Sequence, residues 1–185
     1  ANGVDALRTN TTGVNNIANG TGALFSNNTG SDNIANGTDA LFANTSGSNN
    51  IAIGIRSLRS NTLGNSNIAI GKESLFSNTT RSNLVAIGDS ALYNNGVGAT
   101  LSFHATANSA IGSKALFTNS TGYYNAALGY HSLYSNTTGF ANTANGNEAL
   151  FSNITGNNNT ANGNYSLKYN TSGSHNTANG SNALQ

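Results

Sequence analysis

Cysteine and methionine are both absent from this chain of 185 residues, and charged residues make up only 7% of it. Without cysteine no disulfide can stabilise the fold, and the redox compartment cannot be read from the sequence. The 7 Lys and Arg residues are nearly balanced by 6 Asp and Glu. The sequence therefore has no basic patch that would predict binding to nucleic acid. No apolar run approaches the length of a membrane span. Neither nucleic acid nor a membrane is therefore an expected partner.

The chain consists of one sequence unit that repeats every 17 residues, as from Ile17 to Ile34. The copies begin at Ile17, Ile34, Ile51, Ile68 and Val85 and, after seven additional residues, at Ser109, Ala126, Thr143, Thr160 and Thr177. With Ile68 as position 1, position 2 is Ala, position 4 is Gly and position 8 is Leu in all eleven copies. Position 11 is always Asn, and position 14 is Gly in every copy that reaches it except at Arg81. A fixed period of this kind indicates a repeat architecture.

The content of Gly, Asn, Ser and Thr disfavours helix, and the unit predicts one coil of a parallel β-solenoid, or β-roll. Positions 1–4 and 7–10 are the two expected strands. A tight corner follows the Gly, and the Asn-Thr-Thr-Gly-Ser-x-Asn run makes a wider return. We therefore predict an all-β chain of about eleven coils, stacked about 4.8 Å apart into a rod roughly 50 Å long. Residues 1–185 form a single array, expected to be a segment of a longer fibre.

Leucine at position 8 is the predicted core residue. Position 9 carries Phe, Tyr, Arg or Lys and is predicted to face outward, where stems pack and charged heads stay wet. Charges concentrate at positions 5 and 6, which indicates a solvated corner. In the first strand we favour the Ala and Gly facing inward, and the alternative buries Ile together with a ladder of Asn at position 3. The predicted core leucines are Leu24, Leu41, Leu58, Leu75, Leu92, Leu116, Leu133, Leu150 and Leu167.

The apolar surface of one coil is small compared with the cost of ordering it. Burial of one Leu, one Ala and one further large side chain stabilises a coil by less free energy than the ordering of the whole coil costs. Packing of positions 1, 3 and 9 against other chains would improve this balance. We therefore expect a homo-oligomer, a homotrimer or a fibre.

The seven additional residues are placed at about 101–107, in the wide return of the copy that begins at Val85. They carry Leu101, Phe103 and His104. Insertions in solenoids map to loops on one face, which is often the binding face. Two interpretations stay open, a contact loop and a neutral bulge in a tolerant turn.

No residue set predicts a catalytic, cofactor or metal site, since the histidines are scattered and the acids are unpaired. The Asn-x-Ser/Thr sequon recurs at position 11 and five times elsewhere, and it marks acceptors for N-glycans. The favoured interpretation is turn chemistry, for which Asn, Thr and Gly are needed in any case. The candidate glycosylation sites at position 11 are Asn10, Asn27, Asn44, Asn78, Asn119, Asn136, Asn153 and Asn170.

The repeated unit resembles repeats of bacteriophage tail fibres and bacterial surface proteins. Its Ile-Ala-Ile-Gly core at 51–54 and 68–71 is similar to the head repeats of trimeric autotransporter adhesins. That resemblance implies parallel β-rolls assembled as homotrimers that bind host or matrix surfaces. The adhesin coil is shorter than the repeat of this chain, and six copies here carry Asn where that family has Ile.

The leading functional hypothesis is a non-enzymatic, extracellular fibre segment, a shaft or adhesive part of a surface adhesin or phage tail fibre. Its partners would be copies of itself and a cell-surface or glycan receptor. An alternative is a subunit of a self-stacking, glycosylated extracellular filament. A third hypothesis is ice binding by the Thr residues of positions 12 and 13, although Leu63 and Ile154 interrupt that array.

Overall fold

The computed structural model describes all 185 residues and shows a single parallel β-sheet of ten short strands. Each strand has three residues and occupies positions 1–3 of one coil. The strands are β1 (Ile17–Asn19), β2 (Ile34–Asn36), β3 (Ile51–Ile53), β4 (Ile68–Ile70), β5 (Val85–Ile87), β6 (Ser109–Ile111), β7 (Ala126–Leu128), β8 (Thr143–Asn145), β9 (Thr160–Asn162) and β10 (Thr177–Asn179).

The strands pair in sequence order, each with the equivalent residue of the next coil. Ala52 of β3 lies opposite Ala35 and Ala69, and Asn2 adds one isolated bridge to Asn19. The chain therefore forms the predicted all-β parallel solenoid, in which each coil is one copy of the repeat. None of the chain forms a helix long and apolar enough to cross a lipid bilayer.

In every strand the central Ala is buried while both neighbours face outward. Ala52 and Ala69 have no exposed surface, whereas Ile53 is 38% exposed. This is the orientation that we favoured for position 2, since residues of a strand alternate between its faces. Gly71 at position 4 adopts φ +130, far from the region open to other residues, and a Cβ there would strike the backbone of Gly88. Glycine is therefore required by its backbone angle and by close stacking on the next coil.

The second strand expected at positions 7–10 is absent, and positions 5–10 form a series of turns. Left-handed residues recur there at positions 6 and 8, as at Glu73 (φ 57) and Leu75 (φ 52). The backbone still bonds to both neighbouring coils, since Leu24 N donates to Ala40 O and Gly22 N donates to Val4 O. The strand prediction was wrong because positions 7 and 8 both face the core, as Ser74 and Leu75 do. An extended strand cannot place two consecutive side chains on one face.

The nine predicted core leucines form one buried column, with 0% to 4% of their surface exposed. Left-handed leucine costs roughly 1–2 kcal/mol per residue. Burial of the side chain, worth about 1.5–3 kcal/mol, compensates for this, together with the bonds of the Leu backbone to adjacent coils.

We expect Leu75→Asp to disrupt the rod locally and to lower the free energy of unfolding by at least about 4 kcal/mol, because it buries a charge without a partner. The matched control is Leu63→Asp, in the preceding coil, where the side chain is 52% exposed. That substitution should change stability by less than about 0.5 kcal/mol. Thermal melting followed by circular dichroism compares the two. Equal losses would contradict the assignment of inside and outside.

Candidate functional site

The loop that interrupts the repeat spans residues 96–104, slightly before the predicted 101–107. Asn95 Nδ2 donates to Ala105 O, the bond that position 11 normally makes to position 14, and Tyr124 N donates to Thr106 O in the regular pattern. Ala105 therefore occupies position 14 of this coil. Gly98 lies three residues after Asn95, where the sequence alone would place position 14, but it belongs to the loop. Nine residues stand where other coils have two, which accounts for the seven additional ones.

Arg81 holds this loop from the preceding coil. Its guanidinium donates to Ala99 O at 2.9 Å and to Ser102 O at 3.4 Å. Arg81 is the one residue that replaces Gly at position 14 of a regular coil, so the two irregularities of the sequence form one structural unit. The sequence shows the coincidence of these irregularities, and only the structure shows the contact between them.

The three candidate contact residues lie on the outer surface of the loop. Leu101 is 49% exposed and Phe103 is 46% exposed, while His104 is half-buried. Phe103 packs edge-to-face on His104 and on Tyr123, with ring centroids 4.9 and 5.3 Å away.

Aromatic residues of the regular coils extend this surface. Tyr123 stacks on Phe140 at 4.9 Å, and Tyr124 is 61% exposed beside it. Sequence reasoning missed Tyr123 and Phe140. Their signal is an aromatic residue at position 15 in the two coils that follow the loop, where the other coils have Val, Ser, Asn or Thr. We call Leu101, Phe103, His104, Tyr123, Tyr124 and Phe140 the loop cluster.

Six of the eight candidate glycosylation sites at position 11 are completely buried, and Asn10 and Asn170 are partly buried. Each amide joins an internal ladder, as where Asn136 Nδ2 donates to Asn119 Oδ1 and to Gly139 O, both at 2.9 Å. The folded coil has no room for a glycan at these six sites, so their placement fits turn chemistry. The sequons outside position 11 are exposed: Asn19, Asn36, Asn158, Asn164 and Asn179.

The ladder also explains the Gly of position 14. A Cβ at Gly139 would collide with Gly156 O and with Asn136 Oδ1. A second ladder at position 17 works in the same way, with Asn142 Nδ2 donating to Gly156 O at 2.8 Å. The loop breaks the first ladder once, so that Asn78 Oδ1 is buried without a partner.

Position 9 forms an external column of stacked side chains. Phe76, Tyr93, Phe117, Tyr134 and Phe151 stack at 5.0–5.3 Å with ring planes within 18° of parallel. Arg59 lies between Phe42 and Phe76, with its guanidinium carbon 5.0 and 6.0 Å from the two ring centroids. A planar cation replaces a ring there because both stack on an aromatic face.

Charged residues of the corner pair with charged residues of a neighbouring coil. Arg56 and Glu73 are 2.6 Å apart, and Lys168 and Glu148 are 2.8 Å apart. The hydrogen bond from Lys168 to Glu148 raises the pKa of that lysine. No three His, Asp or Glu side chains are grouped closely enough to hold a metal ion.

The histidine at position 6, His131, lies against aromatic rings of the corner. Its ring centroid is 3.8 Å from that of Tyr130 and 4.8 Å from that of Tyr134, and its Nε2 has no hydrogen-bond partner. Burial lowers the pKa of His131 below its ordinary value of 6.5, Lys114 lowers it further and Glu148 opposes them. Neutral imidazole is therefore the form that fits this environment.

The Thr residues of positions 12 and 13 do not present a free rank of hydroxyl donors. Thr45 Oγ1 donates to Thr62 O at 3.0 Å, and Thr62 Oγ1 donates to Thr79 O at 3.1 Å. Exposed Leu63 and Ile154 interrupt the rank. These bonds within the rod weigh against ice binding.

Comparison with protein-family models, with curated proteins and with solved structures found no match for the chain.

We expect Asn136→Ala to lower the free energy of unfolding by about 2–4 kcal/mol, because it removes three buried hydrogen bonds and leaves Asn119 Oδ1 without a donor. The control is Asn147→Ala, which removes one bond at the surface, to Asn164 Oδ1. It should cost less than about 0.5 kcal/mol. Chemical denaturation measures both, and similar costs would show that the internal ladder adds little stability.

We also expect the rod to lose stability as the pH falls from 7 towards 5. The pKa of His131 is lower in the folded chain than its ordinary 6.5, so below that pH the unfolded chain binds more protons. His131→Asn, which tolerates the left-handed backbone at φ 54, should reduce this loss. His175→Asn makes the same change at an exposed left-handed position and should not. Melting temperatures at several pH values test this, and identical profiles for all three proteins would contradict it.

Proposed function

We propose that this chain is a non-catalytic segment of an extracellular fibre, acting as shaft or contact module of a surface adhesin or phage tail fibre. The observation that carries the proposal is the continuous bonding between coils. Backbone hydrogen bonds join neighbouring coils along the strand, the turn face and the return, as at Ile51 N to Asn67 O, Leu58 N to Ser74 O and Thr62 N to Thr79 O. Two amide ladders and an aromatic column run beside them. A rod built in this way holds each coil in a fixed orientation relative to the next over its whole length.

The loop cluster is the feature of this rod best suited to contact with another surface. Stacking favours identical coils, yet residues 96–104 leave the rod and expose Leu101 and Phe103. Arg81 fixes the loop in place, which lowers the ordering cost of any binding event. The partner class that we propose is a receptor or glycan on a cell or matrix surface.

Self-association belongs to the same proposal. The outward side of the sheet carries uncharged, mainly apolar side chains in its centre, where Ile53, Ile111 and Leu128 are 38–49% exposed. The resemblance to adhesin heads implies three chains, and light scattering at concentrations well above the micromolar range tests for an oligomer. A stable, well-folded monomer would contradict this part of the proposal.

Deletion of residues 97–103 tests the contact role. It restores the regular spacing of the repeat and should leave the rod folded, with unchanged circular dichroism. Beads coated with the native chain should bind to epithelial cells, bacterial cells or collagen-coated and fibronectin-coated wells, and the deletion should abolish that binding. Deletion of residues 57–63 removes the same length from regular coils and should unfold the rod locally.

The other outcomes separate the two roles. Binding that survives the deletion, or a native chain that binds none of these surfaces, would remove the contact role and leave the shaft. A collapse of the β signal would show that the loop supports the core. Phe103→Ala should reduce binding at least tenfold, and Phe42→Ala in the aromatic column should not.

A further inference from the structure

The outward face of the sheet has a pattern that is symmetric about β5. Position 3 reads three Asn, five apolar residues and three Asn, with Ile87 in the centre. No charged residue occurs at position 1 or 3 in any coil. The full series is Asn2, Asn19, Asn36, Ile53, Ile70, Ile87, Ile111, Leu128, Asn145, Asn162 and Asn179.

Position 1 has the opposite property, since large residues occupy one half and small residues the other. The first half of the sheet carries Ile17, Ile34, Ile51 and Ile68. The second half carries Ser109, Ala126, Thr143 and Thr160, and Val85 stands between them on β5. The small side chains leave a recess over β6 to β8, with Ser109, Ile111, Ala126, Leu128 and Thr143 among its walls.

We propose that this face binds a second copy of the chain in an antiparallel pair, related by a twofold axis that runs along β5. The axis places β4 on β6, β3 on β7, β2 on β8 and β1 on β9. At position 1 each large residue then meets a small one: Ile68 meets Ser109, Ile51 meets Ala126, Ile34 meets Thr143 and Ile17 meets Thr160. The partner's Ile51 enters the recess above Ala126, and the same contact occurs twice, as a twofold interface requires.

At position 3 the same axis places like on like. The apolar centre meets the apolar centre, with Ile87 on the partner's Ile87, and the Asn blocks at both ends meet each other. Amides that face amides can exchange hydrogen bonds, so these polar groups are buried with partners.

A parallel pair is less complementary in the first half of the sheet. Rods that run in the same direction, face to face, place position 1 on position 3 of the same strand. Ile17 would then cover Asn19, and Ile34 would cover Asn36, leaving amides against aliphatic side chains. Burial of a polar group without a hydrogen bond is unfavourable. The side-chain pattern therefore favours antiparallel rods.

Such packing requires a face that twists little along the rod. Neighbouring rings in the column from Phe76 to Phe151 are tilted by only 5–18°, so the coils of this stretch stack regularly. Adjacent strands usually twist by about 20–25°, and a strongly twisted face would meet its copy over a few strands only. The face measures roughly 50 by 10 Å, so the pair would bury on the order of 1,000 Å² in total, near the lower limit of specific interfaces. We expect dissociation at micromolar concentration.

The inference rests on the proposed self-association and replaces the trimer that the resemblance implies with a geometry taken from this chain. Since the chain has no cysteine, single introduced cysteines can be joined by a short bis-maleimide that spans the roughly 10 Å between packed sheets. Val85→Cys should cross-link with itself, because β5 lies on the axis. Ile34→Cys and Thr143→Cys should cross-link when mixed, and neither should cross-link alone. In the antiparallel pair two copies of Ile34→Cys lie about 29 Å apart along the rod, six coils at the usual spacing.

Efficient cross-linking of Ile34→Cys with itself would overturn the antiparallel geometry and leave parallel self-association, such as a trimer, in place. A monomer by light scattering, without cross-links in any variant, would overturn both this inference and the self-association in the proposed function, but not the shaft role. A second pair of variants does not need the cross-linker. Ile70→Lys places a charge in the apolar centre and should raise the dissociation constant at least tenfold. Ile55→Lys, at an exposed site outside the face, should not. Equal effects would contradict the inference, and circular dichroism checks the fold of each variant.

Discussion

Hydrogen bonds from each coil to the coil above and the coil below set the other requirements on this chain. A bond such as Leu24 N to Ala40 O forms only if equivalent residues lie in equivalent places. The backbone must therefore turn the same corners in every coil. This constraint accounts for the left-handed Leu at position 8 and for the Gly of position 4, whose φ of +123 to +141 other residues rarely adopt. Buried Asn residues extend the same principle into the core, since an amide both donates and accepts and so bonds to its own copies.

The one departure from the repeat shows how strict the constraint is. Residues 96–104 leave the rod after Asn95, and the register returns at Ala105, within the same coil. Only one rung of the position 11 ladder is lost, at Asn78. The adjacent coil compensates with Arg81, whose side chain donates hydrogen bonds to two backbone carbonyls of the loop. Function is thus best sought where the chain departs from the repeat or where the repeat faces outward, because the remaining residues are occupied by stacking.

The faces of the rod differ in what they offer to a partner. The aromatic column uses most of its surface on itself, ring on ring, with Arg59 as one member of the stack. The loop cluster presents apolar and aromatic groups that the stack does not use. The sheet face offers a long apolar strip between polar ends, with a recess above Ala126. The proposed fibre segment, with one contact loop and one self-associating face, uses the second and the third of these surfaces.

The sequence alone determined the parallel solenoid, the length of its coil, the buried Leu and the outward position 9, because a repeat must place each position in the same environment in every coil. It also located the interruption to within a few residues. The tertiary structure decided what the backbone does between the Gly and the Asn of each coil. Leu, Phe and Ser at positions 8–10 are compatible with a strand, but positions 7 and 8 must both reach the core, and only left-handed turns allow this. The tertiary structure also decided that Asn119 and Asn136 lie inside, since a polar side chain is buried only where another coil supplies its partner. It decided as well that Arg81 contacts the loop, because this contact joins two coils and no single copy of the repeat contains it.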